Sequence, residues 1–326
     1  MKLLSFATAA LLLAAPAFAQ TVTMRISHPV PPGHHLHKAF EGFKADLEKT
    51  SNGQIKVEIF PADSLFKANE NHPAVARGAV EAASSTNFQW GNTIPEMSVT
   101  SIPYLFTDLE RIKRFPGSEA AKILERKLEQ KGVKNIAWFY ITRQSIFTSG
   151  KKPLIAVADF KGVKIRGLNS IADSGLAAVG AAPTPMAAPD VYQALESGVL
   201  DAGLTDLSAA VSRKFYQVQK YGTVSPYFSV YYHLYVSPAW WAKLNPAQQT
   251  LIMAAAGKAE RDMVALTEET AGAATGQLRA AGMTIHEQTA GEIAIWKAAM
   301  QKPVVDAFVK AAPEDGVKLI ELLSKL

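Results

Sequence analysis

KGVKIRGLNSIADSGLAAVGAAPTPMAAPDVYQALESGVLDAGLT, residues 161–205, decides the fold class. Val163–Arg166 is a short apolar-polar strand after a Lys-Gly turn. Ser170–Val179 carries Ile171, Leu176 and Ala residues at helical spacing behind Asn169, a residue type that caps helices. Ala182–Pro185 then predicts a strand, Asp190–Gly198 a helix and Leu200–Thr205 a strand. Strands alternating with helices of this length predict parallel sheets with covering helices, the α/β class.

The same alternation extends upstream. Val22–Ser27 and Ile55–Phe60 have half-buried strand patterns, and Gly78–Ser84 and Val133–Phe139 predict two more strands. Between them, helices are expected at His34–Thr50, Asp108–Phe115 and Ser118–Lys131. Downstream, Pro246–Ala281 has no proline after its first position and repeats apolar residues at Ile252, Ala255, Ala259, Met263 and Leu266. A single helix of about 36 residues is ~54 Å long at 1.5 Å per residue, longer than one small domain. It is therefore expected to span two domains, in keeping with a length of 326 residues.

Composition narrows the function. Charged residues make up 19% and hydrophobic ones 48%, which suits a folded chain rather than a disordered one. The net charge of +5 is spread out, and nucleic acid is not expected as a partner. With no cysteine, thiol nucleophiles, Cys-ligated metals and disulfides are excluded. Nucleophile-elbow, dinucleotide and P-loop motifs are absent, which weakens an enzyme reading and implies no cofactor. The opening MKLLSFATAALLLAAPAFA has a basic start, a short apolar run and the small-x-small site Ala17-Phe18-Ala19. Residues 1–19 are therefore expected to be a signal peptide cleaved before Gln20, and the protein to be exported to the periplasm.

Several residues are candidates for a site. Arg166 ends a buried strand just before a helix start, where an anion is favoured; it either meets an anionic ligand or pairs with an internal carboxylate. His28 ends the first strand, where α/β clefts open, and is assigned a pocket role. His34 and His37 have a spacing that suits zinc, or they are surface histidines at a helix start.

In order and spacing, GQIKVEIFPADSLF (53–66), IPYLFTD (102–108), GVKIRGLNS (162–170), AAPTPMAAPDVYQALESGVLDAG (181–203) and KFYQVQKY (214–221) resemble the DctP-type solute-binding proteins of TRAP transporters. The resemblance implies a two-domain periplasmic-binding-protein-like α/β fold, with a cleft between the domains and a long helix spanning both. On that basis domain I is assigned to 20–140 plus 229–271, and domain II to 141–228 plus 272–326. The implied function is capture of a small-molecule carboxylate and delivery to TRAP membrane permease subunits, by a monomer that is not an enzyme. By motif, Arg166 would anchor the carboxylate, with Arg143 and Asn169 as further donors. Ser85, Thr86, Gln89 and Thr205 would be polar contacts, Thr205 standing where many members have Asn. Ala188 replaces a common Phe and predicts extra space, which Tyr227 would line or fill. A zinc-binding periplasmic protein and an exported enzyme on the same frame are the rival readings.

Overall fold

The computed structural model describes residues 21–326, so the expected signal peptide lies outside the described residues. In chain order the first half contains β1 (Val22–Ser27), α1 (His35–Thr50), β2 (Ile55–Phe60), α2 (Asn71–Ala76), β3 (Ala82–Thr86), α3 (Leu109–Arg114), α4 (Glu119–Gln130), β4 (Lys134–Thr142) and β5 (Ser145–Ser149). Next come β6 (Lys164–Gly167), α5 (Ser170–Ala178), β7 (Ala182–Pro185), α6 (Val191–Glu196), β8 (Ala202–Asp206), α7 (Leu207–Ser212), β9 (Tyr221–Ser225) and β10 (Val230–Val236). The chain ends with α8 (Pro238–Trp241), α9 (Pro246–Ala280), β11 (Thr284–Glu287), α10 (Ala290–Ala311) and α11 (Gly316–Lys325).

The strands form two sheets, ordered β2-β1-β3-β10-β4 and β11-β9-β5-β8-β6-β7. Neither is purely parallel, which corrects the expectation from strand–helix alternation. β10 runs antiparallel to both β3 and β4, and β5 antiparallel to both β8 and β9. These reversals arise where the chain passes between sheets, from Thr142 to Ser145 and back from Ser225 to Val230. The strand expected at Gly78–Ser84 lies later, at Ala82–Thr86. Gly78, at φ +75°, closes α2 instead of extending a strand, and left-handed backbone of this kind suits glycine.

α9 is one continuous helix. Asn245 and Gln248 form a reciprocal capping box around Pro246 at its start. It covers the exposed edge of β4: the Glu260 carboxylate accepts from the Trp138 amide at 2.7 Å, and the Thr267 hydroxyl donates to the Tyr140 carbonyl at 2.8 Å. Edge strands left bare invite pairing with other chains. Further along, Ala274 and Leu278 are buried with Ile146, Leu195 and Phe215 of the second lobe. One helix thus packs on both lobes. Gly272 and Gly276 sit in it with nothing within 4 Å of an added Cβ. Gly272→Ala and Gly276→Ala are expected to stabilise the protein by up to ~1 kcal/mol each; an unchanged or lowered urea midpoint for the double variant would contradict this.

Candidate functional site

The C-terminal ends of β6 and β8 and the start of α7 meet the first lobe at one narrow cavity. Arg166, Leu168, Ala188, Thr205, Asp206, Ala209 and Arg213 line it from one lobe, and Val30, His34, Thr86, Phe88, Phe228, Val230 and Tyr232 line the rest. Its free interior is only about 30 Å³, room for about two water molecules. Ala188 does border it, but the rings of Phe88, Phe228 and Tyr232 crowd the same space.

Arg166 is 3% exposed. Its Nε donates to the Met186 carbonyl at 3.2 Å and its Nη1 to the Leu204 carbonyl at 2.8 Å. The guanidinium lies 5.9 Å from the Phe88 ring centre. Nη2 has no partner among the described residues, and Arg166 forms no ion pair there. The internal Arg–carboxylate pair is therefore not what the chain builds. The Asp173 carboxylate sits nearby but accepts from the Leu168 amide at 2.8 Å, packed so close to Gly167 that a Cβ there would meet it at 2.1 Å. Burial first, and then repulsion from Arg213, push the Arg166 guanidinium down to about 10. It remains a charge at neutral pH, fixed by backbone carbonyls that do not neutralise it.

Arg213, which follows α7, is a cavity residue that sequence reading missed; nothing in its local sequence marks it. Its Nη2 donates to the Pro29 carbonyl at 2.9 Å across the lobes, and its Nε is buried with no partner among the described residues.

Asp206 caps α7 by accepting from the Ala209 amide at 2.8 Å and the Ser208 hydroxyl at 3.1 Å, both at Oδ1. Behind it lie His34, which was expected at the surface or on zinc, and its neighbour His35, and both are buried. His34 Nδ1 accepts from the Leu36 amide at 3.1 Å, so its proton is on Nε2, which faces Ser208 Oγ at 3.1 Å. His35 Nδ1 lies 2.7 Å from the same hydroxyl. Ser208 donates to Asp206 and lies between the two rings, while His35 Nε2 is buried with no partner among the described residues. Burial works against the Asp206 charge, yet the adjoining His34 imidazole and the Ala209 amide outweigh it and hold the carboxyl below its usual range. Among the described residues no group of three His, Asp or Glu could hold a metal ion.

The other expected site residues lie elsewhere. Arg143 is paired with Glu268 on α9 at 2.8 Å. His28 is fully buried against His37 and Phe40. Tyr227 packs edge-on against Phe147 and Tyr104 in the core. Ser85 bonds to the Tyr235 hydroxyl at 2.9 Å, and Gln89 accepts from the Thr86 amide and hydroxyl; both line a separate hollow beside Trp90.

Asn169 spends its whole amide on the protein. Oδ1 caps α5 by accepting from Ile171 and Ala172, and Nδ2 donates across the lobes to the Phe88 carbonyl at 2.8 Å and Ser98 Oγ at 3.2 Å. It is a latch between lobes, not a free donor. Asn169→Ala removes a cap and orphans a buried carbonyl, so a loss of about 2–3 kcal/mol is expected. Denaturant titration checks it; a change below ~0.5 kcal/mol would show that the latch carries no weight.

The model of the DctP family, bacterial extracellular solute-binding protein family 7, matches residues 26–311. The chain belongs to this family. This solute-binding protein is 32% identical over 314 residues to the C4-dicarboxylate-binding periplasmic protein DctP of Rhodobacter capsulatus, covering 95% of this chain and 93% of that one. Among solved structures, it resembles a TRAP periplasmic solute-binding protein from Desulfovibrio salexigens with bound orotic acid (TM-score 0.88, 26% identity, 93% and 97% covered). A second, from Sulfurospirillum deleyianum with bound succinate, gives a TM-score of 0.85 at 26% identity, covering 93% and 99%. The two-lobed α/β fold expected from the sequence is the fold these proteins share, and the relatives named here are solute-binding proteins. Among the described residues no helix is long and apolar enough to cross a membrane.

Proposed function

We propose that this TRAP-type solute-binding protein captures a small organic acid in the periplasm and hands it to TRAP permease subunits. The observation that carries this reading is Arg166: a buried guanidinium at the junction of the lobes, with a free Nη2 edge and no carboxylate partner among the described residues. Leaving a buried charge unpaired is costly, and a ligand carboxylate supplies the missing partner in a two-bond fork. Arg213, Thr86 and Thr205 share the cavity, with Ala188 at its wall.

The interior is too small for most organic acids as it stands, so entry requires the lobes to part along the division 20–140 plus 229–271 against 141–228 plus 272–326. The latches at Asn169, Ser208 and Arg213 would break on opening and re-form around the ligand. Reclosure joins surface from both lobes into one face for the permease. Native mass spectrometry of protein purified without denaturation is expected to show a bound acid that unfolding releases. A protein whose thermal midpoint no organic acid raises would refute the reading.

A further inference from the structure

Resting on the reading of Arg166 as a carboxylate anchor, we propose that the ligand is a hydroxylated monocarboxylate, its hydroxyl read by Asp206 and its single carboxylate shared between Arg166 and Arg213. The charged groups that line the cavity are two guanidiniums and one carboxylate. One ligand carboxylate brings that set to neutrality. A dicarboxylate leaves it one negative charge in excess, in a space walled mainly by Phe88, Phe228, Leu168 and Val230, where uncompensated charge is expensive.

The state of Asp206 decides what faces it. Its Oδ1 is taken by Ala209 and Ser208, while its Oδ2 has no hydrogen-bond partner among the described residues. The nearest imidazole, His34, is 3.7 Å from Oδ1, on the occupied side. A carboxylate held ionised is an acceptor only. It takes an O–H from the ligand and repels a second carboxylate. Arg213 lines the same cavity, and its Nε is a buried donor with no partner among the described residues. Neither residue stood out in the sequence, and together they set a ligand class different from the dicarboxylate named for the R. capsulatus relative.

Calorimetry with matched acids tests the proposal: lactate against propionate, 2-hydroxybutyrate against butyrate, 3-phenyllactate against 3-phenylpropionate, with succinate and glutarate as dicarboxylates. A hydroxylated acid is expected to bind tighter than its deoxy partner by about 10- to 100-fold, the worth of one hydrogen bond to a charged group, and tighter than either dicarboxylate. Asp206→Asn keeps an oxygen to cap α7, so the variant folds. It is expected to shrink the gap within each pair and to improve dicarboxylate binding. Tighter binding of succinate or glutarate by the wild type, or an Asp206→Asn variant with an unchanged gap, would overturn the proposal. In that case loss of binding in Arg166→Ala still upholds the carboxylate anchor. Acid binding that is absent, or indifferent to Arg166→Ala, would overturn the anchor itself and this proposal with it.

Discussion

Arg166→Ala is expected to lose acid binding by about 30-fold to several thousand-fold, the ~2–5 kcal/mol that follows from removing one side of a buried, hydrogen-bonded charge pair. Arg166→Lys is expected to bind poorly too. An ammonium on a flexible stem cannot donate to the Met186 and Leu204 carbonyls and also present a planar edge to a ligand. The fold is expected to survive both changes, because Arg166 forms no ion pair among the described residues whose loss would strand a protein carboxylate. Calorimetry on variants with native circular dichroism decides the matter. Near-native affinity in Arg166→Ala would remove the anchor, and unfolding would assign the residue to structure instead.

Acid is expected to destabilise the protein in two stages. Burial pushes the imidazoles of His28, His35 and His233 down to about 3. Unfolded, each binds a proton near pH 6.5, so between about pH 6.5 and 3 the unfolded chain holds more protons at these sites. Stability there falls as pH falls, by on the order of 4 kcal/mol per histidine over the whole window. Three acids oppose this, Asp63 among them, its carboxyl raised by burial. Burial lifts Asp173 to about 6 and Glu260 to about 7. From those values down to about pH 4 the folded chain holds more protons at these two, which offsets most of the histidine loss. Below about pH 4 the offset ends, and protonation of Asp206, whose carboxyl is depressed in the folded state, adds to the decline. Urea titrations at a series of pH values are expected to show a shallow slope from pH 7 to about 4.5 and a steep fall beneath it. Stability that holds level between pH 4.5 and 3 would mean that these rings are not buried neutral. His35→Gln and His233→Gln are each expected to soften the fall.

Elements with a one-sided pattern were readable from the sequence. α9 was delimited to within a residue at its end because Asn245-Pro246 opens it and Gly282 follows it. β10 was not, because VYYHLYV is buried at every position and shows no alternation. β5, SIFTS, is likewise buried throughout yet carries three hydroxyls and shows no one-sided apolar pattern. At the site, Arg166 stood out through its strand-to-helix context, and Thr205 and Ala188 through the family pattern. Arg143 is engaged by Glu268, and Asn169 by Phe88 and Ser98, all distant in sequence. The histidines at 34 and 35 resembled a polar helix start. What meets them is Ser208, more than 170 residues away, a contact no local pattern records.

The position of β10 governs when the molecule can form. It is the inner strand that joins β3 to β4, and it follows both in the chain. A nascent chain ending before Val230 holds β3 and β4 without the ribbon between them, and without the α9 edge cover. The second sheet waits longer still, for β11 at Thr284–Glu287. Pairings this far apart in sequence fold slowly because chain closure must precede any gain from contact. Most of the polypeptide therefore leaves the ribosome before either lobe has a complete sheet, and the last third of the chain decides when each lobe closes.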